Sequence, residues 1–346
     1  MPLFIKTLCI ILAMVIGFFT LQAIYNDTPL NNSSPRDKMI NGVNFVAPPK
    51  PIQQKEMNSI VDINANWVAI IPYAFCRPNQ PRVFFEHQHH WGETKEGVIE
   101  TVKYAKNLGL KVMIKPHIWV AGQGWPGDYT LSDEEEWKIW EEGYEEYLMT
   151  YVEIADSLKV DMLCIGTEHR TCAKNRPQYW KQLIKKIRGK FEGKLTYAAN
   201  WDNIENISFW SELDYIGVDA YFPLSKSKTP EVEELKKEWE PYLTQLKHLN
   251  QQHQTPVIFT EYGYRSIDHA TQGHWELKEE EPRPNMKAQQ YAYQALYEVI
   301  ENQPWYHGGF LWKWFAHHDR AGGLDDHKFT PQNKPVMEVI KEWHLK

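Results

Sequence analysis

The chain reads Val160-Asp161-Met162-Leu163-Cys164-Ile165-Gly166-Thr167-Glu168 near its middle, an apolar run that ends in a carboxylate. A second stretch, Pro256-Val257-Ile258-Phe259-Thr260-Glu261-Tyr262-Gly263, repeats that pattern further along. In a barrel of parallel strands, a carboxylate at the C-terminal tip of a strand faces the mouth of the active site. Two such carboxylates are the minimum apparatus for breaking a glycosidic bond. The two glutamates therefore predict an enzyme built on a barrel.

The rest of the chain has the alternation that such a barrel requires. Near-continuous apolar runs, typical of parallel strands covered by helices, span residues 39–47, 67–75, 111–119, 160–168, 194–201, 213–222, 256–262 and 308–314. Helical patterns span residues 53–63, 94–108, 133–158, 177–191, 204–212, 230–252, 286–302 and 334–343. Residues 39–346 are therefore predicted to form an α/β fold, a single (β/α)8 TIM barrel. A doubly wound open sheet is the alternative, although no G-x-G-x-x-G follows the first strand.

Composition narrows the class of partner. The 346 residues carry a net charge of -7 with no basic stripe, which argues against nucleic acid as a partner. The chain has 15 Trp and 18 Tyr, more than a core needs, and such rings line grooves where flat amphipathic ligands such as sugars stack. We expect a monomer that binds an oligo- or polysaccharide substrate.

The N-terminus has the pattern of an export segment. Lys6 precedes an apolar run over residues 8–23, which is short for a membrane span and suits the central region of a signal peptide. Residues 1–25 are therefore predicted to be a signal peptide or an N-terminal membrane anchor, and residues 26–38 a linker. Either alternative places the barrel outside the cytoplasm, in the periplasm or the extracellular space, with anchoring through residues 7–24 if the segment is kept.

Beyond that segment the chain has three cysteines. Cys164 falls inside a predicted strand and is expected to be a buried thiol. Cys76 and Cys172 both follow predicted strand ends, where they are either free or joined in a disulfide.

The two glutamates are assigned opposite roles by their flanks. A retaining glycosidase needs carboxyls about 5–5.5 Å apart, one a nucleophile and the other a proton donor. Glu261 ends the seventh predicted strand, and the Tyr262-Gly263-Tyr264-Arg265 that follows offers hydrogen-bond donors and a cation to keep a carboxylate ionised. Glu168 ends the fourth strand, roughly across the barrel, and has fewer fixed cations beside it. Glu261 is therefore predicted to be the nucleophile and Glu168 the acid/base.

Several motifs carry a resemblance to a known group of enzymes. They are Ile40-Asn41-Gly42-Val43-Asn44-Phe45, Ile114-Lys115-Pro116-His117-Ile118-Trp119, Gly166-Thr167-Glu168, Phe259-Thr260-Glu261-Tyr262-Gly263 and Trp312-Lys313-Trp314. Over residues 39–346 the chain resembles the glycoside hydrolases of clan A, and within them family 113. The resemblance implies a retaining enzyme that cleaves β-1,4-mannan or manno-oligosaccharides. Much of the clan has Asn immediately before the acid/base, where this chain has Thr167. The family 113 branch also lacks that Asn.

Further residues at strand ends are predicted to bind the substrate. Lys115, His117 and Trp119 belong to the third strand, and Asn200 and Trp201 end the fifth. Asp219 and Tyr221 end the sixth strand, where the tyrosine is placed to orient Glu261 by a hydrogen bond. Trp312 and Trp314 end the eighth strand. The resemblance implies that one aromatic side chain there lies under the sugar at the cleavage point. Because residues two apart in a strand face the same way, both rings are candidates for this contact, and Trp312 is favoured.

Alternative functions remain open on the sequence alone. Histidine and carboxylate clusters at residues 86–90, 317–319 and 325–327 lack an established ligand spacing, so no metal or other cofactor is predicted. A metal-dependent hydrolase would need His-x-His at the end of the first strand, and residues 41–49 contain no histidine. A sugar-binding barrel without catalysis, or a glycosidase for another β-glycan, are the remaining alternatives.

Overall fold

The computed structural model describes residues 39–85, 90–273 and 283–346. Strands are numbered in chain order, and eight parallel ones close into a barrel within these ranges: β1 (Ile40–Val46), β2 (Trp67–Ile71), β5 (Lys111–Ile114), β7 (Met162–Thr167), β8 (Lys194–Asn200), β9 (Tyr215–Asp219), β10 (Val257–Tyr262) and β11 (Tyr306–Trp314). The predicted (β/α)8 barrel is confirmed. The open-sheet alternative is wrong, because β1 pairs with both β2 and β11.

The helices surround this barrel in the order predicted, with one short helix over residues 170–175 that was not predicted. They are α1 (Asn58–Val61), α2 (Lys95–Asn107), α3 (Glu134–Ser157), α4 (Arg170–Asn175), α5 (Pro177–Arg188), α6 (Val232–His253), α7 (Met286–Ile300) and α8 (Val336–Leu345). The helix predicted over residues 204–212 is instead two short 3-10 turns, Ile204–Asn206 and Trp210–Glu212. The indole Nε1 of Trp210 donates to the carbonyl of Ile204 at 2.8 Å, replacing the backbone donor that an α-helix would use.

The barrel interior is a packed apolar core. Its centre contains Trp67 from β2 and Phe310 from β11, whose rings meet edge to face at 6.1 Å. Gly42 lies so close to Phe310 that a Cβ there would stand 2.4 Å from the phenyl ring. Burial of a side chain such as Phe310 contributes about 1.5–3 kcal/mol. This layer forms the floor beneath the strand tips, and it holds them in fixed positions.

Two of the predicted strands are interrupted. The predicted strands 67–75 and 111–119 are each split by a proline, Pro72 and Pro116, because proline has no N–H to continue a ladder. The parts beyond the prolines leave the barrel and form a second sheet of β3 (Tyr73–Arg77), β4 (Gln80–Phe84) and β6 (His117–Val120), in the order β4-β3-β6. Tyr73 pairs with His117 in this sheet, which therefore rises as a wall beside the barrel mouth.

The predicted signal peptide or anchor (residues 1–25) and linker (residues 26–38) lie outside the described residues. In the ranges that the structure describes, no helix is long and apolar enough to cross a membrane. Cys164 is a buried thiol in the barrel core, as predicted. Cys76 and Cys172 are also buried and free, so the disulfide alternative is wrong.

Candidate active site

A pocket of about 570 Å³ opens at the C-terminal mouth of the barrel. It contains both predicted catalytic glutamates and most of the predicted substrate-binding residues. Side chains from the wall sheet, the barrel strand tips and the loops that follow them form its lining. They are Tyr73, His117, Ile118, Trp119, Trp125, Pro126, Thr167, Glu168, Arg170, Asn200, Trp201, Asp202, Tyr221, Glu261, Trp312 and Phe329.

Glu261 lies at the base of this pocket with both carboxylate oxygens engaged. The ammonium of Lys115 donates to Oε1, and the Nε2 atom of His117 lies 3.8 Å from the same oxygen. The hydroxyl of Tyr221 donates to Oε2 at 2.6 Å, so the hydrogen bond that the sequence predicts between these residues is present. Because one oxygen receives a cation and the other a hydroxyl, the carboxylate is fixed in position and its negative charge is stabilised.

Lys115 is shared between two buried carboxylates. Its Nζ atom lies 3.5 Å from Asp219 Oδ1, which also accepts a hydrogen bond from Thr260 at 2.7 Å. Burial alone would lower the pKa of Lys115, but Asp219 and Glu261 outweigh it and raise that pKa above its ordinary value. Burial and the charge of Glu261 raise the pKa of Asp219 to about 7, against the opposing effect of Lys115. One cation, directly after β5, thus links carboxylates from β9 and β10.

Glu168 lies in a different electrostatic environment from Glu261. It follows β7 with a left-handed backbone (φ 56°), which is strained for a residue other than glycine, and its N–H bonds the carbonyl of Ala198 at 2.8 Å. Burial, followed by the negative charges of Asp219 and Glu261, raises the pKa of Glu168 well above its ordinary value. Lys115 and the indole of Trp125 act on this pKa in the opposite direction. Glu168 therefore keeps its proton where an ordinary glutamate would lose it.

The sequence matches a defined family over most of its length. A profile of Glycoside Hydrolase Family 113 covers residues 49–334. The chain belongs to glycoside hydrolase family 113. The family 113 resemblance predicted from the motifs is confirmed, and the protein is a glycoside hydrolase. No curated protein sequence matches the chain.

Solved structures share the fold of this family 113 hydrolase. A GH113 β-1,4-mannanase superposes with a TM-score of 0.78 at 22% identity, over 89% of this chain and 99% of the other. The GH113 β-mannanase from Alicyclobacillus acidocaldarius in complex with ManMIm gives a TM-score of 0.78, 22% identity, and coverage of 90% and 99%. A Glycoside Hydrolase Family 5 mannosidase from Rhizomucor miehei gives 0.60 at 10% identity, covering 89% and 92%.

Two predicted substrate-binding residues of the family 113 hydrolase lie beneath the pocket. Lys115 and Asp219 have no exposed surface, and neither lines the cavity. The prediction that they contact the substrate is wrong, because both side chains are buried below the cavity and Lys115 pairs with Asp219 and with Glu261. They act on the pocket through the carboxylate that they hold.

Only one of the two predicted tryptophan platforms faces the pocket. Trp312 lines it with its ring stacked at 6.2 Å on His117, and its peptide bond to Lys313 is cis. Trp314 is fully buried and donates to Ser59 Oγ at 3.1 Å, so its prediction as a substrate contact is wrong. The β1–β11 register shifts before Trp314, and this irregularity breaks the simple alternation on which the prediction depended.

The remaining predicted residues line the family 113 pocket. Trp119 stands at the rim with 49% of its surface exposed, while Asn200 and Trp201 come from the end of β8. Asn200 donates to Asp202 Oδ1 at 2.9 Å. These positions offer rings and amide groups to a ligand in the cavity.

Sequence reasoning missed several lining residues. Arg170 lies two residues after Glu168, and Asp202 lies two residues after Asn200. Their closeness to predicted site residues at the strand ends is a signal that could have identified them. Trp125 lies in a loop rich in Gly and Pro on the catalytic face, where a lone Trp is also a usable signal. Tyr73 could be predicted as a lining residue only if Pro72 were taken to end the barrel strand. No sequence signal marks Phe329 as a lining residue.

The histidine clusters have other partners where the structure describes them. Residues 86–89 lie outside the described ranges. His318 stacks on Trp314 at 5.8 Å, and Asp326 pairs with Lys334 at 2.7 Å. Across residues 39–85, 90–273 and 283–346, no group of three His, Cys, Asp or Glu side chains is arranged to hold a metal ion.

Lys115→Ala is expected to lower the free energy of unfolding by about 3–5 kcal/mol, because it leaves two buried carboxylates without their cation. The deficit should shrink as pH falls, since protonated carboxyls need no counter-charge. Urea denaturation at several pH values measures it. Lys111→Ala, at the exposed start of the same strand, is the matched control, and an equal loss in both variants would contradict the prediction.

Proposed function

We propose that this family 113 enzyme hydrolyses β-1,4-mannan or manno-oligosaccharides with retention of anomeric configuration. The observation that supports it best is the pair of glutamates in one pocket, each with different hydrogen-bond partners and charges around it. Glu261 is held by a cation and a hydroxyl, as a nucleophile needs, and Glu168 has a raised pKa, as a proton donor needs.

The proposed reaction has two steps. Glu261 attacks the anomeric carbon while Glu168 transfers its proton to the glycosidic oxygen, so that the sugar becomes bonded to Glu261 and the leaving group departs as an alcohol. Glu168, now a carboxylate, then takes a proton from water as the water attacks the same carbon. Hydrolysis regenerates both side chains, and two inversions give net retention. Neither step requires a metal or a cofactor.

The lining of the pocket suits a chain of sugars. Four tryptophan rings contribute to the cavity lining, those of Trp119, Trp125, Trp201 and Trp312. Aromatic faces stack against the apolar faces of pyranose rings, while Asn200 and His117 offer polar atoms to hydroxyls. Mannan is favoured over other β-glycans because the similar GH113 structures are a β-1,4-mannanase and a β-mannanase. A glycosidase of another β-glycan is the nearest alternative.

The proposal is tested by measuring product release from a panel of defined β-glycans. Proton NMR identifies which anomer of the product forms first. We expect cleavage of mannan and initial appearance of the β-anomer. Cleavage of another glycan alone would contradict the assignment of mannan as substrate. Initial formation of the α-anomer would contradict the retaining mechanism. A folded protein that cleaves no member of the panel would favour the binding-only alternative.

A basic limb in the pH profile is expected from Glu168. Because the acid works only while protonated, kcat/KM on mannan should fall as pH rises through its raised pKa. With 2,4-dinitrophenyl β-mannobioside, whose leaving group departs without a proton, the wild-type enzyme should lack that limb in kcat/KM. A limb that persists unchanged with this substrate would assign it to another group.

Tyr221→Phe is expected to lower kcat by about 10–100-fold, because it removes a hydrogen bond of about 1.5–3 kcal/mol to the charged nucleophile. Steady-state kinetics on mannan measures the change. Tyr242→Phe is the matched control, since that hydroxyl bonds the carbonyl of Pro223 at 2.8 Å and does not line the pocket. Equal rates for both variants would show that the Tyr221 hydroxyl contributes nothing to catalysis.

A further inference from the structure

Residues 326–329, which we call the anchored loop, lie between β11 and α8 and have an irregular backbone. Carbonyls in such a segment usually face water, but all four in this loop accept hydrogen bonds from side chains. The donors are Ser266 Oγ to residue 326 at 2.6 Å, Arg265 Nε to residue 327 at 3.3 Å, Lys334 Nζ to residue 328 at 2.8 Å and Gln289 Nε2 to residue 329 at 3.2 Å. Because every residue of the loop is bound in this way, the loop is held in one conformation.

The ammonium of Lys334 is the centre of this anchorage. Its side chain has no exposed surface. Nζ donates to Asp326 Oδ1 at 2.7 Å, to the carbonyl of Lys328 at 2.8 Å and to Ser266 Oγ at 2.9 Å. An ammonium has three N–H donors, so these contacts use all of them, and the charged bond to Asp326 is the strongest kind. Lys334 therefore ties the anchored loop to the loop after β10, where Ser266 lies.

Phe329, at the end of the anchored loop, packs against Tyr221. The two rings lie 5.9 Å apart with an interplanar angle of 69°, which is an edge-to-face contact. Both rings line the pocket, and the Tyr221 hydroxyl donates to Glu261 Oε2 at 2.6 Å. Because a phenol ring turns about two side-chain torsions, the position of its hydroxyl depends on what the ring packs against.

We infer that Phe329 is a positioning residue for the nucleophile, that it acts through Tyr221, and that the buried Lys334 holds it in place. The inference rests on the proposed role of Glu261. One oxygen of that carboxylate must be presented to the anomeric carbon, and the bond from Tyr221 restrains the carboxylate as attack begins. A Tyr221 ring without its edge-to-face partner would make this bond for a smaller part of the time. Lys334 thus affects the reaction although it does not line the pocket.

The test is a double-mutant cycle measured on a glycan of the panel that the wild type cleaves, so it does not depend on mannan being the substrate. Phe329→Leu should lower kcat by about 3–10-fold, because the edge-to-face contact is lost. In the Tyr221→Phe background no hydroxyl is left to position, so the same change should lower kcat by less than about twofold. KM should stay within about twofold, since the change acts on the nucleophile and not on sugar binding.

Lys334 is tested in the same cycle. Lys334→Met removes the ammonium and should lower kcat at least as far as Phe329→Leu, again only while the Tyr221 hydroxyl is present. Ser266→Ala deletes one oxygen of the anchorage and should give a smaller loss with the same dependence, so it replaces Lys334→Met if that variant does not fold. A thermal unfolding curve for each variant separates loss of the fold from loss of positioning.

Phe84→Leu is the matched control. Phe84 is also a half-buried phenylalanine, but it lies on β4 and does not line the pocket. Its kcat should stay at the wild-type value. A loss equal to that of Phe329→Leu would show a general effect of truncating a ring and would contradict the inference.

Three further outcomes would overturn the inference. An unchanged kcat in Phe329→Leu would mean that Tyr221 needs no support from this ring. An equal loss in both backgrounds would make Phe329 a direct sugar contact or a structural residue. An unchanged kcat in Lys334→Met, or in Ser266→Ala where it replaces that variant, would remove the anchorage from the role. Failure of the proposed function looks different, since Glu261→Ala would then keep its activity or the folded wild type would cleave no glycan.

Discussion

Glu261→Ala is expected to lower kcat on mannan by about 10⁴-fold or more, because it removes the atom that forms the covalent intermediate. The fold should survive the change, since Lys115 keeps Asp219 as a partner.

The measurement is steady-state turnover together with a thermal unfolding curve for each variant. Glu261→Gln is the closer control for shape, because its amide oxygen can still accept from Tyr221 while it cannot form the ester. Added azide should restore turnover of an activated β-mannoside by Glu261→Ala and give the α-linked azide, since the small anion attacks from the vacated side. Activity within tenfold of the wild type in a folded Glu261→Ala protein would remove it as the nucleophile.

Glu168→Ala is expected to lower kcat on mannan by about 10²–10⁴-fold, the usual contribution of a positioned general acid. The loss should depend on the leaving group. With 2,4-dinitrophenyl β-mannobioside, glycosylation should proceed and the glycosyl-enzyme on Glu261 should accumulate, because water is no longer activated for the second step. Azide needs no base, so it should release that intermediate as the β-linked azide.

Mass spectrometry of the intact protein detects the intermediate, and the azide product identifies the face of attack. Glu212→Ala, at an exposed glutamate away from the pocket, should behave as the wild type in both measurements. If Glu168→Ala lost activity equally on both substrates and azide rescued neither, the acid/base assignment would have to move to another residue.

The barrel and the positions of its glutamates could be predicted from sequence because both depend on local pattern. Eight buried strands read as apolar runs, and a residue at the end of such a run has only one edge of the barrel to occupy. Glu168 and Glu261 therefore meet in one pocket, as expected. The family followed from the same strand-end motifs.

What the sequence missed depends on non-local geometry. Pro72 and Pro116 could be recognised in the sequence as strand interruptions. The pairing of β3 with β6 in the wall sheet, however, depends on contacts between segments that are distant in the chain. The burial of Trp314 follows from a register shift against β1, and alternation along one strand carries no information about its neighbour's register. Asp219 looked like a ligand contact because a strand-end carboxylate gives no sign of whether a cation lies beneath it.

The shared cation under the pocket links activity to completion of the chain. Lys115 directly follows β5, whereas Asp219 and Glu261 come from β9 and β10, more than a hundred residues later. During synthesis the amine has no buried partner until those late strands arrive, and the carboxylates have no cation until they dock on the early ones. A chain that stops before β10 therefore cannot assemble the proposed nucleophile, and the proposed activity appears only after the late strands have docked on the early ones.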